Sequence, residues 1–183
     1  MSDPSQDITT LESRVVYRNR WMSVREDRIR RQDGSEGIYG VVDKSDFAII
    51  APIDDGIVHL VQQYRYPIEK RQWEFPQGAW EDRPDADALA VARGELEEET
   101  GLVAGRMEQV AHLYPLYGTT SQGYRVFLAC DLSPGKARRE ASEQDMVTRA
   151  FPLAEVEHMI VEGVIQDAGT VAAFGMLRLK GLV

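Results

Sequence analysis

The stretch Gly94-Glu95-Leu96-Glu97-Glu98-Glu99-Thr100-Gly101-Leu102 constrains this chain more than any other. With Leu89, Ala92 and Leu96 at i, i+3 and i+7, it is predicted to close an amphipathic helix from about Ala86 to Thr100. Asp85 or Asp87 can cap the start, and Gly101 is placed to end it. At about 100° per residue, Glu95, Glu98 and Glu99 share one arc while Glu97 points elsewhere. The arc flanks the apolar stripe, so the three carboxylates should lie at the edge of the core. They repel one another at i, i+3 and i+4 spacing and crowd the helix end where the macrodipole disfavours negative charge. Helix stability gives no reason for this. A hard divalent cation does, because Mg²⁺ takes oxygen ligands from a few carboxylates and from substrate phosphates. Taken alone, an acidic run is as readily a solvated helix face, so the flanking sequence has to decide.

The 183 residues suit one domain with a small appendage, and 43% hydrophobic residues are enough for a core. Thirty acidic against 21 basic residues, net −9, argue against duplex nucleic acid or an anionic membrane as partner. The excess is local, since residues 81–99 hold eight acids and two bases, −6 of the total. A phosphate substrate arriving with a cation is therefore compatible with it. A single cysteine, Cys130, excludes an intramolecular disulfide and a multi-cysteine metal site, and it reads as a small buried hydrophobe. With no apolar leader and no run near the roughly 18 residues of a span, a cytoplasmic protein is expected.

Residues 1–10 read as a disordered lead-in and 11–45 as an antiparallel β subdomain. Runs at Met22–Arg28 and Gly37–Val42 flank an Asp33-Gly34 hairpin signal. From 46 to 183 a second domain is expected. Phe47–Pro52 and Ile57–Tyr64 pair across Asp54-Asp55-Gly56, and the acidic helix follows. Strands come next at Glu108–Leu113, Tyr124–Ala129 and Met146–Phe151, then helices at Leu153–Glu162 and Asp167–Lys180. That order indicates a layered α/β domain. His59, His112 and His158 lack metal-ligand spacing, and neither a Gly-x-Ser-x-Gly elbow nor a P-loop occurs.

Upstream of the acidic helix stands Trp73-Glu74-Phe75-Pro76-Gln77-Gly78. Together the two segments resemble the signature of the Nudix hydrolases, Gly, five residues, Glu, seven residues, Arg-Glu-apolar-x-Glu-Glu-x-Gly-apolar. Gly78 matches its opening glycine, and Glu95-Leu96-Glu97-Glu98-Glu99-Thr100-Gly101-Leu102 matches its closing half without a gap. Two departures stand out. Gly94 occupies the arginine position, with Arg93 one residue out of phase and facing Glu97 at i+4. The segment from Gly78 to the helix carries two extra residues, and Pro84 or Ala86 replaces its glutamate, for which Glu81 or Asp82 could stand in. Gly94 also costs about 1 kcal/mol inside a helix relative to Ala.

The resemblance implies a Nudix α/β/α sandwich with a mixed β-sheet, behind the small N-terminal antiparallel subdomain. It implies hydrolysis of the pyrophosphate bond of ADP-ribose or a related nucleoside diphosphate sugar. Mg²⁺, with Mn²⁺ as a substitute, would be held by Glu95, Glu98, Glu99 and the Gln77 carbonyl, with Glu98 also expected to be catalytic. Glu143 is the expected general base in the loop after Arg139, with Glu140 in reserve and Asp145 third. Arg65 is expected to grip phosphate and Glu74 to bind the substrate's ribose or a metal, or else to be a buried structural partner. Tyr17 and Trp21 are stacking candidates for the base, and a homodimer through the N-terminal strands is implied. A proline expected some 15 residues beyond the signature is replaced by Tyr117, with Pro115 two earlier. That keeps dinucleoside polyphosphate hydrolysis as an alternative, and a non-catalytic sensor on the same fold is a third reading.

Overall fold

The computed structural model describes residues 7–80, 83, 85–138 and 145–183, which fall into two compact units. The first comprises residues 7–45 and Leu116–Gly123. Its strands β1 (Ile8–Arg18), β2 (Ser23–Arg31) and β3 (Glu36–Asp43) form an antiparallel sheet in that order. The predicted turn is present. Gly34 takes φ +83°, the Ser35 N–H donates to Asp33 Oδ1 at 2.9 Å, and the Ser35 hydroxyl holds the Asp33 carboxyl below its usual range. The lead-in expected to reach Thr10 stops sooner, because Ile8 already pairs with Arg31; residues 1–6 lie outside the described residues. Leu116–Gly123, expected in the second domain, belongs here instead. Its polar groups find partners on the end of β3: Val42 N–H donates to the Thr119 carbonyl (2.8 Å) and Thr120 Oγ1 to the Val42 carbonyl (2.7 Å). Gln122 Nε2 donates to the Ser45 carbonyl at 2.6 Å.

The second unit comprises Asp46–Pro115 and Tyr124–Val183. Strands β4 (Phe47–Asp54), β5 (Ile57–Arg65), β8 (Leu102–Leu113), β9 (Tyr124–Pro134) and β10 (Val147–Pro152) run in the order β10-β5-β4-β9-β8. The shorter β6 (Lys70–Glu74) pairs with β5 and β7 (Gln77–Gly78) with β4. β4 runs parallel to β9, whereas its partners β5 and β7 are antiparallel, so the sheet is mixed. Asp55 (φ 49°) and Gly56 (φ 74°) give the β4–β5 turn the paired positive φ values of a tight hairpin.

β4 explains the layering. Its run Ala48-Ile49-Ile50-Ala51-Pro52-Ile53 is buried throughout, as a central strand covered on both faces must be. Ile49, Ala51 and Ile53 pack with Val156, Met159, Phe174 and Leu177 of helices α2 (Leu153–Val161) and α3 (Ala168–Leu179). Ala48 and Ile50 pack with Val91, Ala92 and Leu96 of helix α1 (Ala88–Thr100). This is the expected α/β/α sandwich, with α1 on one face and α2 and α3 on the other.

The stripe on α1 differs from expectation. Leu89 is 36% exposed, and the buried positions are Val91, Ala92, Glu95, Leu96 and Glu99. Two of the glutamates therefore occupy the core-facing side instead of its edge. Asp87 is the cap, accepting from Ala90 N–H at 3.1 Å, and Gly101 ends the helix at φ 71°. No helix among the described residues is long and apolar enough to cross a membrane.

Candidate active site

Two neighbouring residues of β7 organise the acidic helix. Gly78 lies so close to the Glu95 carboxylate that a Cβ would overlap it, standing 2.6 Å from Cδ. One residue earlier, the Gln77 backbone N–H donates to Glu99 Oε2 at 3.2 Å. The dipeptide thus meets two carboxylates one helical turn apart, on side chains that are 8% and 1% exposed. Two buried carboxylates this close repel one another, and a cation between them would offset that repulsion. Glu98 is half-buried, and Glu97 is half-buried as well.

Among the described residues, no three His, Cys, Asp or Glu side chains form a ready-made ligand shell. The donor set still fits a hard cation. It is all oxygen, and Mg²⁺ typically takes one or two carboxylates and completes its octahedron with water and substrate phosphate. Glu95 and Glu99 would hold such an ion, with Glu98 on the same helix able to join. For Gln77, the contact shown is through its N–H to Glu99.

The last turn of α1 is tethered from outside. The Glu98 carbonyl accepts from Arg138 N–H at 3.0 Å, and the Glu99 carbonyl accepts from Thr148 Oγ1 at 3.3 Å. These donors flank the segment that holds Glu140 and Glu143, both of which lie outside the described residues. Asp145, the third candidate base, forms an ion pair with Arg71 at 2.7 Å, and Arg71 also donates to its backbone carbonyl. That pairing anchors the segment's far end to β6, and it gives Asp145 a structural task that its sequence position did not reveal. Arg93 also departs from expectation. Its Nη1 donates to the Ala104 carbonyl at 2.7 Å, toward β8, and not to Glu97.

Arg65 and Glu74, expected as separate substrate contacts, are partners. Arg65 Nε and Nη2 reach the two Glu74 oxygens at 3.1 and 2.6 Å, and Gln63 Nε2 adds 2.8 Å. Glu74 is 1% exposed, and burial pushes its carboxyl above the usual range although Arg65 pulls it down. The Arg65 side chain is 39% exposed, so its outer edge can reach a ligand. The Glu74–Gly78 segment is also pinned from α3. Phe75 N–H donates to Thr170 Oγ1 (2.9 Å), which in turn donates to Asp167 Oδ2 (2.7 Å). Asp167 is a sequence-legible helix cap, but a threonine hydroxyl holding a strand 95 residues away carries no sequence signal. Of the remaining candidates, Cys130 is buried and its thiol is pushed up by burial, as a structural cysteine should be. Tyr17 and Trp21 belong to the first unit and are more than half exposed.

Comparison with known proteins agrees with this arrangement. Residues 8–42 match the model of the nucleoside diphosphate sugar hydrolase N-terminal domain, and residues 44–174 match the NUDIX domain. An ADP-ribose pyrophosphatase of Mycobacterium tuberculosis (strain ATCC 25618 / H37Rv) is 30% identical over 178 residues, covering 96% of this chain and 84% of that protein. An ADP-ribose pyrophosphatase of Bacillus subtilis (strain 168) is 31% identical over 134 residues, 73% of this chain and 71% of that one. A crystal structure of an ADP compounds hydrolase superimposes with a TM-score of 0.85 at 23% identity, covering 99% and 98% of the two chains, and shows the shared fold. The chain belongs to the Nudix hydrolases, among their ADP-ribose and nucleoside diphosphate sugar pyrophosphatase-like members, and is a hydrolase of pyrophosphate bonds.

Proposed function

We propose that the protein hydrolyses ADP-ribose or a related nucleoside diphosphate sugar with Mg²⁺, giving a nucleoside monophosphate and a sugar phosphate. The observation that carries the reading is the pair of buried carboxylates, Glu95 on Gly78 and Glu99 on the Gln77 N–H. A divalent ion there supplies charge neutralisation for the pyrophosphate and acidifies the attacking water. Arg65, held by Glu74, whose Oε1 also accepts from Gln63 Nε2, offers its exposed edge to a phosphate oxygen. Glu143, with Glu140 in reserve, takes the water's proton. Its segment is tied at Arg138 and Thr148 to the last turn of α1, which supports that role. Water oxygen attacks one phosphorus, the bridging P–O bond breaks, and the sugar phosphate or the nucleotide leaves.

A substrate panel with Mg²⁺ and with Mn²⁺ tests this. The expected result is AMP plus ribose 5-phosphate from ADP-ribose, at a kcat/KM at least tenfold above that for diadenosine tetraphosphate. ATP released from the dinucleotide at the higher efficiency would overturn the substrate assignment. Nucleotide binding without hydrolysis under either metal would favour a sensor.

A homodimer and a cytoplasmic location belong to the same proposal. The first unit exposes Val15, Val16, Tyr17 and Ile38 at 50–66% on its three-stranded sheet, an apolar surface that a second copy would cover. Sedimentation equilibrium is expected to give twice the chain mass of 20.6 kDa, and a concentration-independent single-chain mass would contradict it. The lone buried cysteine suits a reducing compartment.

A further inference from the structure

Gly94 stands where the family signature has arginine, and the structure shows what fills the space. The indole of Trp80 lies directly over it. A Cβ on Gly94 would run into Cζ2 and stand 3.2 and 3.3 Å from Cε2 and Cη2. The Arg83 guanidinium caps the same ring, 3.9 Å from its centroid. The turn that brings it there is closed by Arg83 N–H donating to the Trp80 carbonyl at 2.9 Å. Arg93, the one nearby arginine on α1, is spent on the Ala104 carbonyl. Trp80 itself is half-buried and packs against the α1-facing core cluster of Val91, Ala92 and Leu96.

This contact sits beside the other close approach. Gly78 and Trp80 are two residues apart on one segment, and they meet Glu95 and Gly94, which are adjacent on α1. Each contact depends on a missing Cβ, at Gly78 in one case and at Gly94 in the other. The segment is thus fastened to the helix at two points, and the second lies next to the carboxylate that the first receives. Movement of Trp80 off Gly94 would shift the Gln77–Gly78 backbone relative to Glu95 and Glu99.

We propose that Trp80, seated on Gly94 and capped by Arg83, is a positioning residue that sets the spacing between the Gln77–Gly78 strand and the Glu95/Glu99 carboxylates, and so the affinity of the cation site. The proposal rests on the metal-dependent reading above. Trp80 does not touch substrate in it and acts through Glu95.

The test compares Mn²⁺ dissociation constants of the full-length wild type, Trp80→Ala, Trp80→Phe and Gly94→Ala, read by electron paramagnetic resonance of free Mn²⁺, with kcat and KM for ADP-ribose alongside. Trp80→Ala is expected to weaken Mn²⁺ binding at least tenfold and to lower kcat, with KM for nucleotide within about threefold. Trp80→Phe should recover most of the loss, because a ring still covers Gly94. Gly94→Ala keeps the indole but denies it its seat, and in a helix-favouring substitution it should reproduce the loss without unfolding the protein. Combining Gly94→Ala with Trp80→Ala should add little, since the two remove one contact. Wild-type Mn²⁺ affinity in folded Trp80→Ala or Gly94→Ala would overturn the proposal, as would failure of Trp80→Phe to improve on Trp80→Ala. If the wild type binds Mn²⁺ yet hydrolyses nothing, the activity reading fails, and the affinity comparison still decides the role of Trp80.

Discussion

Glu99→Gln is expected to lower kcat by about 1,000-fold, roughly 4 kcal/mol of transition-state stabilisation, while leaving the apo protein about as stable as the wild type. Both halves follow from one geometry. Glu99 is 1% exposed on the core side of α1, one turn from buried Glu95, with its Oε2 receiving the Gln77 N–H. An amide oxygen can keep that hydrogen bond, so the packing survives the substitution. What is lost is the negative charge proposed to hold the cation. Mg²⁺ should accordingly raise the melting temperature of the wild type by mass action and leave that of the variant unchanged. Calorimetry with and without Mg²⁺, together with single-turnover assays, reads both effects. A fall in turnover of less than tenfold would sink the assignment of Glu99 as a ligand.

Arg65→Ala is the second large effect, and it should be read in stability as a function of pH. Burial raises the native pKa of Glu74 above its ordinary 4.5, and Arg65 is the largest influence holding it down. A raised folded pKa means that the native state binds the proton more tightly than the unfolded chain. Its stability is therefore highest below the unfolded value and falls as pH rises through the folded one. Removing Arg65 raises the folded pKa further and carries that loss to higher pH. Stripping one member from a buried pair costs roughly 3 kcal/mol or more, and the partial exposure of the guanidinium lowers this to about 2 kcal/mol near pH 7. At pH 5 the penalty should be much smaller, and Glu74→Gln in the same chain should restore most of the stability at pH 7. Urea unfolding at the two pH values measures it. A penalty independent of pH would show that Glu74 is not the group left uncompensated. KM for the nucleotide should also rise in Arg65→Ala if, as proposed, the same guanidinium binds phosphate through its outer edge.

What was legible in the chain follows the strength of local rules. The Asp33-Gly34 and Asp54-Asp55-Gly56 turns, the α1 end at Gly101 and the strand over Phe47–Pro52 are each dictated by a few adjacent residues, and they stand as expected. The glutamate spacing on α1 placed Glu95 and Glu99 on one side of the helix but misjudged their depth. Leu89 continues the apolar spacing in sequence, whereas the buried arc runs from Val91 to Leu96, with Glu95 and Glu99 inside it. The short strands β6 and β7 were missed because Lys70–Glu74 and Gln77–Gly78 have too few residues to show alternation. Long-range partners were hidden for a different reason. The pairs Arg65–Glu74, Arg71–Asp145 and Thr170–Phe75 are made by the tertiary fold and not by any spacing in sequence. Trp80 falls in the same class. Gly94, a departure from the motif in sequence, lies under that indole, which leaves no room for a Cβ.

The central claim is that Glu95 and Glu99, set against Gln77 and Gly78, are the cation-binding face of this hydrolase. Anomalous scattering from a crystal grown with Mn²⁺ tests it directly. The account predicts a peak within about 2.5 Å of carboxylate oxygens of both Glu95 and Glu99, absent from Glu99→Gln crystals grown the same way. A Mn²⁺ peak coordinated elsewhere, away from both carboxylates, would contradict it.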